Sequence, residues 1–193
     1  MTFLSPIPAK ILLLLVFYTT PRDNGFEPWI DWQDIPPSTE WLAEVYMAIE
    51  QADTFIFVIS QASVKSEICN LEIAHAVKNN KRLTPLVIDE VEPRKVTPEL
   101  TALNWLFFRE GDEFSRAFKD LVDAIQVDYV WVKEHTRLQV RALEWKGKNR
   151  ETGCLLRGRD LSEAENWLAQ AAGKELQPTN LHTEYYYSEK YWT

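Results

Sequence analysis

The chain has 193 residues, of which 46% are hydrophobic and 26% are charged, a balance typical of one ordinary globular domain plus an appendage. Its formal net charge of -8, together with the absence of any basic run interleaved with aromatic residues, argues against a nucleic-acid partner. Its two cysteines have no spaced partners, so they suggest neither a disulfide framework nor a zinc site, and they favour a reducing cytoplasm.

The first apolar run follows Lys10 and reads ILLLLVFY. It is much shorter than the ~20 residues that cross a bilayer, and no small-residue cleavage site follows it, so we expect a buried strand and no membrane association. Asn24 and Gly25 form a turn signal before the next apolar run. These features predict an antiparallel hairpin, with residues 1–27 forming an atypical N-terminal strand and turn.

Strands and helices alternate after this hairpin. Residues 29–32 (WIDW) predict a short strand, and residues 33–39 (QDIPPST) predict a loop stiffened by two prolines. Residues 54–60 (TFIFVIS) form an almost continuous apolar run, which is typical of a strand buried on both faces in a parallel sheet. In the helix between them, apolar side chains recur at helical spacing, at Leu42, Val45, Tyr46 and Ile49.

The alternation continues to about residue 127. Residues 83–88 (LTPLVI) and 104–108 (NWLFF) predict two further strands, and Asp112 is placed to cap the helix that follows them. This order predicts an α/β fold with a flavodoxin-like, doubly wound and mainly parallel sheet whose first strand is atypical.

Glu72 is the most informative carboxylate of the chain. Its helix starts at the carboxyl end of a buried strand, where open α/β sheets bind their ligands. The apolar arc of this helix comprises Ile68, Cys69, Ile73, Ala76 and Val77. At 100° per residue, Glu72 lies roughly 60° from the middle of that arc. Such a position makes it a candidate functional group, whereas the simpler interpretation is a boundary glutamate whose oxygens reach water.

The histidines do not indicate a metal site. Glu72 and His75 repeat the E-x-x-H spacing of di-iron bundles, but those sites also need a second E-x-x-H pair and two further glutamates. His135 and His182 have no convergent partners in the sequence. We therefore expect neither a bound metal nor a resident cofactor.

The order of WIDW, a proline-containing loop, an amphipathic helix, FIFVIS and S-x-x-C-x-x-E-I resembles a Toll/interleukin-1 receptor (TIR) domain over roughly residues 26–127. The order and spacing of these short motifs carry the resemblance. The wording DWQDIPPST and the segment YVWVKEHTRLQVRALEW are similar to bacterial TIR proteins in which the domain precedes a linker and WD-type repeats. We accordingly expect a TIR domain over residues 28–128.

The resemblance implies a set of residues around a substrate. Glu72, within the pattern that includes Ser66 and Cys69, matches the catalytic glutamate of the TIR enzymes that cleave NAD. A carboxylate close to the ribose stabilises the positive charge that develops as the N-glycosidic bond to nicotinamide breaks. Weaker candidates for substrate contacts, together with Cys69, are Trp41, as an aromatic face for a base, and Ser60, as a hydroxyl at a strand end. NAD would be a substrate rather than a cofactor.

The resemblance also implies partners. Residues 33–39 match the BB loop, which TIR domains use in self-association, so other TIR domains are the expected homotypic partners. The BB loop of one protomer would complete the site of its neighbour. The simpler interpretation of this loop is a rigid, exposed turn. The implied interface residues are Asp34, Ile35, Pro36 and Pro37.

The front of the chain departs from the family, whose sheet starts with a strand, a substrate-contacting loop and a full helix. Only residues 21–27 separate ILLLLVFYTT from PWIDW, fewer than the dozen or more that a parallel crossover needs. A first strand of reversed polarity would keep the sheet and lose the first loop of the NAD site. We therefore predict a cytoplasmic TIR signalling protein that acts by homotypic self-association, with an NAD glycohydrolase using Glu72 as the alternative.

Residues 129–193 predict a helical linker or extension. Residues 129–145 form one helix in this prediction, and residues 146–159 form a loop. Asp160 and Glu163 are an aspartate version of a capping box before a second helix that reaches about Ala172. The aromatic tail that follows either packs on these helices or docks on a missing partner. It carries Tyr185, Tyr186, Tyr187, Tyr191 and Trp192.

Overall fold

The computed structural model describes residues 2–4, 28–30 and 41–190. The chain divides into two compact units, Met1–Val127 and Asp128–Thr193. The first unit is of the α/β type and the second is helical, as the predicted fold class requires. Within the described ranges, no helix combines the length and the apolar character that crossing a membrane demands.

Among the described residues, five strands form one sheet at the centre of the first unit. Its strands lie in the order β2-β1-β3-β4-β5, and all neighbouring strands are parallel. The order changes direction between β1 and β3, which is the doubly wound arrangement of flavodoxin-like folds. The predicted fold class is therefore confirmed. The strands are β1 (Thr2–Leu4), β2 (Pro28–Ile30), β3 (Thr54–Ile59), β4 (Arg82–Val87) and β5 (Leu106–Phe107).

The first strand corrects the sequence analysis. Thr2–Leu4 lies between β2 and β3 and pairs in parallel with both, so the expectation of reversed polarity at this place is wrong. The chain that joins β1 to β2, residues 5–27, exceeds the dozen residues that a parallel crossover needs. The segment between β1 and β2 is therefore long enough for a family-like crossover, contrary to the expectation. The run ILLLLVFYTT and the predicted turn at Asn24 and Gly25 lie outside the described residues.

Helices flank the sheet. The Ser66 side chain accepts a hydrogen bond from the Cys69 N–H at 3.3 Å, which is the N-cap interaction that starts the second of these helices. The helices are α1 (Trp41–Gln51), α2 (Glu67–Lys78), α3 (Pro98–Thr101) and α4 (Phe114–Gln126), with 3-10 turns at Ser63–Lys65 and Pro93–Lys95.

The start of α4 differs from the prediction. The N-cap residue is Glu113, and no side chain caps the helix there. Asp112 instead accepts a hydrogen bond from the backbone N–H of Arg109 at 2.9 Å and pairs with the Arg109 guanidinium. Its carboxylate therefore closes the turn between β5 and α4 rather than capping α4.

β3 contributes to two apolar cores, one on each face of the sheet. All six of its residues are buried, as the apolar run predicts. Phe55, Phe57 and Ile59 pack in the core that includes α1 and α2, whereas Ile56 and Val58 pack in the core that includes α4. This burial on both faces holds the carboxyl end of β3, and the helix that follows it, in a defined place.

The second unit consists of helices packed around their own core. The helix predicted over residues 129–145 is present, and it reaches Gly147. Asp160 does not cap a helix as predicted, because it lies inside the following helix and its carboxylate accepts a hydrogen bond from Arg141 at 2.5 Å. The helices are α5 (Tyr129–Gly147), α6 (Gly158–Ala169) and α7 (Asn180–Lys190), with a 3-10 turn at Thr152–Cys154.

α7 is a helix that the sequence analysis did not predict. Tyr185 and Tyr186 are buried in the core of the second unit. The Tyr185 ring lies 5.4 Å from the Trp145 ring between centroids, and its hydroxyl donates to the Cys154 carbonyl at 2.6 Å. This part of the aromatic tail therefore packs on the helices, which is one of the two expected outcomes. The residues after 190 lie outside the described range.

Candidate functional site

A serine turn shapes the carboxyl end of β3. The Ser60 N–H donates to Ser63 Oγ at 2.8 Å, and the Ser63 N–H donates to Ser60 Oγ at 3.0 Å. Both serines are buried. These reciprocal bonds turn the chain from β3 into the segment that leads to α2. The Ser60 hydroxyl thus has a structural role here, and its contact with a substrate stays a prediction.

Glu72 lies deeper in the protein than the sequence predicts. Its side chain is 0% exposed, so the interpretation as a boundary glutamate whose oxygens reach water is wrong. Val77, at the far side of the predicted apolar arc, is 38% exposed. The buried face of α2 is therefore rotated toward Glu72 and away from Val77.

The packing of α1 against α2 explains this rotation. The Tyr46 ring of α1 stacks on the His75 ring of α2, with centroids 4.0 Å apart and an angle of 5° between the planes. His75 Nε2 also lies 2.9 Å from Glu50 Oε1. His75 is one helical turn beyond Glu72 on the same side of α2, so these contacts bring α1 over that side.

Tyr46, Glu50 and His75 form a contact set that the sequence analysis missed. In the sequence, the helical spacing predicts only that Tyr46 lies on the apolar face of its helix, and His75 has only the E-x-x-H spacing to Glu72. Tyr46 and Glu50 are four residues apart and therefore share one face of α1, but no local signal points to His75 as their partner. Pairing across two helices is a tertiary property.

The other predicted substrate contacts occupy packing positions. Cys69 is 1% exposed and belongs to the core between the sheet and α2. Trp41 is the first residue of α1, and it packs, partly buried, against the same core. Their roles in substrate binding stay predictions. The predicted interface residues lie outside the described residues: Asp34, Ile35, Pro36 and Pro37.

The surroundings of Glu72 determine what its carboxylate can do. A carboxylate removed from water interacts more strongly with a nearby positive charge than an exposed one does, because the local dielectric is lower. Glu72 is therefore suited to stabilise a cationic group that is brought next to it. In the part of the chain that the structure describes, no cluster of three or more His, Cys, Asp or Glu side chains could hold a metal ion.

A groove of about 390 Å³ lies at the carboxyl ends of β3, β4 and β5. Gln61 joins the segment after β3 to the segment after β4 by two hydrogen bonds. Its N–H donates to Asp89 Oδ2 at 3.3 Å, and its side-chain amide donates to the Glu90 carbonyl at 2.5 Å. The Arg109 guanidinium lies 4.6 Å from the centroid of the Phe107 ring. The lining comprises Gln61, Val87, Asp89, Glu90, Val91, Glu92, Trp105, Phe107 and Arg109, so Glu72 is not part of it.

A buried lysine lies at the opposite, amino-terminal edge of the sheet. Lys81 immediately precedes β4 and is 4% exposed, and its Nζ donates to the Glu50 carbonyl at 2.5 Å. Burial lowers the pKa of Lys81 from its ordinary value of 10.5 to about 8, against the opposing effect of the Asp53 and Glu50 charges. The charged ammonium therefore costs stability near neutral pH.

Replacing Lys81 with methionine is expected to change how stability depends on pH. Because the folded-state pKa lies below the unfolded one, folding releases the proton between about pH 8 and pH 10.5, and stability rises with pH in that window. From pH 7.5 to pH 9 this rise amounts to about 1 kcal/mol in the unsubstituted chain. Urea unfolding at both pH values measures it, and the rise should disappear in Lys81→Met. An equal rise in the variant would assign it to another group.

Comparisons with known proteins identify similar chains. A family model described as TIR domain matches residues 18–122. The crystal structure of the TIR domain of the Toll-related receptor TRR-2 from Hydra magnipapillata is similar, with a TM-score of 0.50 and 20% identity over 65% of this chain and 97% of that chain. A search of curated proteins found no match.

A metazoan TIR-STING receptor from C. gigas, solved in complex with 2',3'-cGAMP, is also similar. The TM-score is 0.51 and the identity is 22%, over 79% of this chain and 52% of that chain. This chain thus corresponds to about half of the receptor's length. At these identities, the likeness to both solved structures concerns the fold.

Proposed function

The chain belongs to the TIR domain family, and on that premise we propose that it is a signalling protein that acts by homotypic self-association with other TIR domains. We place this action in the cytoplasm, where Cys69 and Cys154, neither of which forms a disulfide, would stay reduced. The similarity of residues 31–39 and 129–145 to bacterial TIR proteins with WD-type repeats further suggests a bacterial origin.

The exposure of apolar side chains on the two helices around Glu72 carries this proposal. Leu71, next to Glu72 on α2, is 45% exposed, and Met47 on α1 is 46% exposed. Large apolar side chains at an exposed helix surface are favourable contacts in an interface. In the sequence, three residues separate the expected BB-loop residues 34–37 from the start of α1, so both kinds of contact would come from neighbouring segments of the chain.

Leu71→Lys is expected to weaken self-association. A charge at this position opposes burial in an interface, and we expect association to require at least about tenfold higher protein concentration, the effect of roughly 1.4 kcal/mol. Sedimentation velocity over a concentration series measures the change. Asn70→Lys, at the adjacent exposed position, is the matched control and should associate like the unsubstituted chain. A chain that stays monomeric at its highest soluble concentration would contradict the proposal.

A second candidate function is cleavage of NAD at the bond between ribose and nicotinamide, with Glu72 as the catalytic residue. Two observations favour it. Glu72 is fully buried on the helix that follows the carboxyl end of β3, and an ionisable group in such a position is more often functional than an exposed one. In addition, residues 5–27 provide enough chain for a parallel crossover with a loop and a helix between β1 and β2.

In this hydrolysis, Glu72 would stabilise the oxocarbenium-like ribose as nicotinamide leaves with the bonding electron pair, and it would orient the ribose hydroxyls. Water would then add to the same ribose carbon and lose a proton. Trp41 would offer an aromatic face to a base, and Ser60 and Cys69 would line the same region. Because Glu72 is 0% exposed, substrate access requires the elements that cover it to move. Self-association through the BB loop would favour the open arrangement, which links the two proposals.

Nicotinamide release from NAD, compared between the unsubstituted chain and Glu72→Gln at high protein concentration, tests this candidate function.

A further inference from the structure

The start of α7 is closed by a reciprocal pair of hydrogen bonds between Thr179 and His182. The Thr179 N–H donates to His182 Nδ1 at 2.9 Å, and the His182 N–H donates to Thr179 Oγ1 at 3.2 Å. This is the geometry of a capping box, with histidine in the place that glutamate or glutamine usually takes. The cap therefore depends on an imidazole, a type of group whose ordinary pKa of about 6.5 lies near neutral pH.

The same contacts determine which nitrogen of the imidazole carries the proton. Nδ1 accepts the backbone N–H of Thr179 through its lone pair, so Nδ1 carries no proton. Nε2 lies 3.0 Å from the backbone carbonyl of His135, an acceptor, so Nε2 carries the hydrogen and donates it. These two bonds require the neutral ring in its Nε2–H form.

The interactions of His182 join α7 to α5. The Nε2 bond ends on the backbone of α5, and Thr179 Oγ1 donates to Gln139 Oε1 on α5 at 2.9 Å. His182 is 2% exposed. Its ring lies 5.2 Å from the Trp167 ring of α6 between centroids. One imidazole thus holds the first turn of α7 against the core of the helical unit.

Other titratable groups share these surroundings. From α5, the His135 ring faces the His182 ring at 4.6 Å between centroids, so a charge on one ring opposes a charge on the other. α6 presents Trp167, which does not titrate. From α7 itself, Tyr185 and Tyr186 line the same small cavity, and both stay neutral in the acidic range.

We propose that His182 is an acid-sensitive latch, which holds α7 on α5 while neutral and releases it on taking up a proton. A proton on Nδ1 replaces an acceptor with a donor that faces the Thr179 N–H, and it places a charge in a site that is nearly closed to water. Thr179 Oγ1, 3.0 Å from Nδ1, accepts the His182 N–H and donates to Gln139, which uses one of its two lone pairs. Even if its second lone pair accepts the Nδ1 proton, the Thr179 N–H loses Nδ1 as its acceptor.

Release of the latch has a structural consequence. Leu181, Tyr185 and Tyr186 pack in the core of the helical unit while α7 is in place. Acid would therefore uncover an apolar helix face that is closed at neutral pH, and such a face binds other apolar surfaces. The exposure of this apolar face of α7 therefore depends on pH.

Hydrogen exchange of the full chain at pH 7.5, 6.5 and 5.5, corrected for intrinsic exchange rates, tests the latch. Below the ordinary histidine pKa of about 6.5, uptake of one proton lowers the protection of α7 amides by up to tenfold per pH unit. The amides of α2 should keep their protection. His182→Gln keeps an acceptor and a donor but cannot take up a proton, so its α7 protection should not depend on pH.

Two matched variants assign the effect. His75→Gln in the first unit and His135→Gln in the second should both retain the acid-dependent loss of α7 protection. The proposal is overturned if α7 protection in the unsubstituted chain is independent of pH, or if His182→Gln shows the same loss. Nitrogen-15 NMR of the unsubstituted chain at pH 7.5 gives a test that does not depend on the folding of any variant, because a protonated Nδ1 would contradict the latch.

Discussion

Glu72→Gln is expected to abolish nicotinamide release from NAD by the concentrated chain, with a loss of at least about 100-fold in rate. Glutamine keeps the shape of the side chain and removes the negative charge, so the substitution removes stabilisation of the oxocarbenium-like transition state. The loss is large because Glu72 would be the group that faces the positive charge developing on the ribose. Release is measured by chromatography over a series of protein concentrations.

Glu67→Gln provides the matched control for that measurement. Glu67 lies on the same helix, α2, and it is exposed, so the substitution changes the net charge equally without touching the buried carboxylate. We expect release to be unchanged in this variant. Circular dichroism must also show that Glu72→Gln remains folded. Release that persists in a folded Glu72→Gln variant would rule out the catalytic role, and a folded, self-associating chain without release would leave the interaction function alone.

Tyr185→Ala is expected to lower the free energy of unfolding of the helical unit by about 3–5 kcal/mol, the range for removing a large buried aromatic side chain. Tyr185 is 1% exposed, packs near Trp145 and bonds to the Cys154 carbonyl. The substitution removes both the packing and the hydrogen bond. Urea unfolding followed by the intensity of tryptophan fluorescence measures the change.

Two further substitutions separate these contributions. Tyr187→Ala, at a side chain on the same helix that is 44% exposed, should change stability by less than about 0.5 kcal/mol. Tyr185→Phe keeps the ring and leaves the Cys154 carbonyl without its donor, at an expected cost of about 1–3 kcal/mol. A small loss in Tyr185→Ala would mean that the aromatic tail does not contribute to the folded unit.

The pH dependence of Tyr185 follows from its burial. Burial raises the pKa of the Tyr185 phenol above its ordinary value of 10.0, with a smaller opposing effect from Arg141. The folded state therefore holds the phenol proton more tightly than the unfolded chain does. The resulting stabilisation is complete below pH 10 and declines as the pH rises through the folded-state pKa. Tyr185→Phe should lack this decline.

Periodic elements could be predicted from the sequence because each carries its own pattern. The apolar run of β3 predicts burial on both faces, and all of its residues are buried. α2 and α5 are found close to the positions that their patterns predict. The placement of Glu72 on a helix after the carboxyl end of β3 could also be predicted from the order of these elements.

Short elements could not be predicted in the same way. β1 has three residues, Thr2–Leu4, which are too few for a periodic pattern, and its place is known only from its pairing with β2 and β3. The apolar pattern instead predicts the first strand at the longer run ILLLLVFY. α7 was missed because its tyrosines have no clear apolar face in the sequence, and Asp112 and Asp160 were assigned to caps although arginines bind their carboxylates.

By itself, the sequence determined the alternation of strands and helices, the parallel sheet built around β3, and the helix that bears Glu72. These features follow from the spacing of apolar residues, which is a local property of the chain. Only the tertiary structure decided that Glu72 is fully buried and that the His182 side chain caps the start of α7. The burial of Glu72 depends on the packing of α1 against α2, and the contacts of His182 depend on the packing of α5 against α7. In each case the two helices are separate segments of the chain, and their packing determines which helix face is buried.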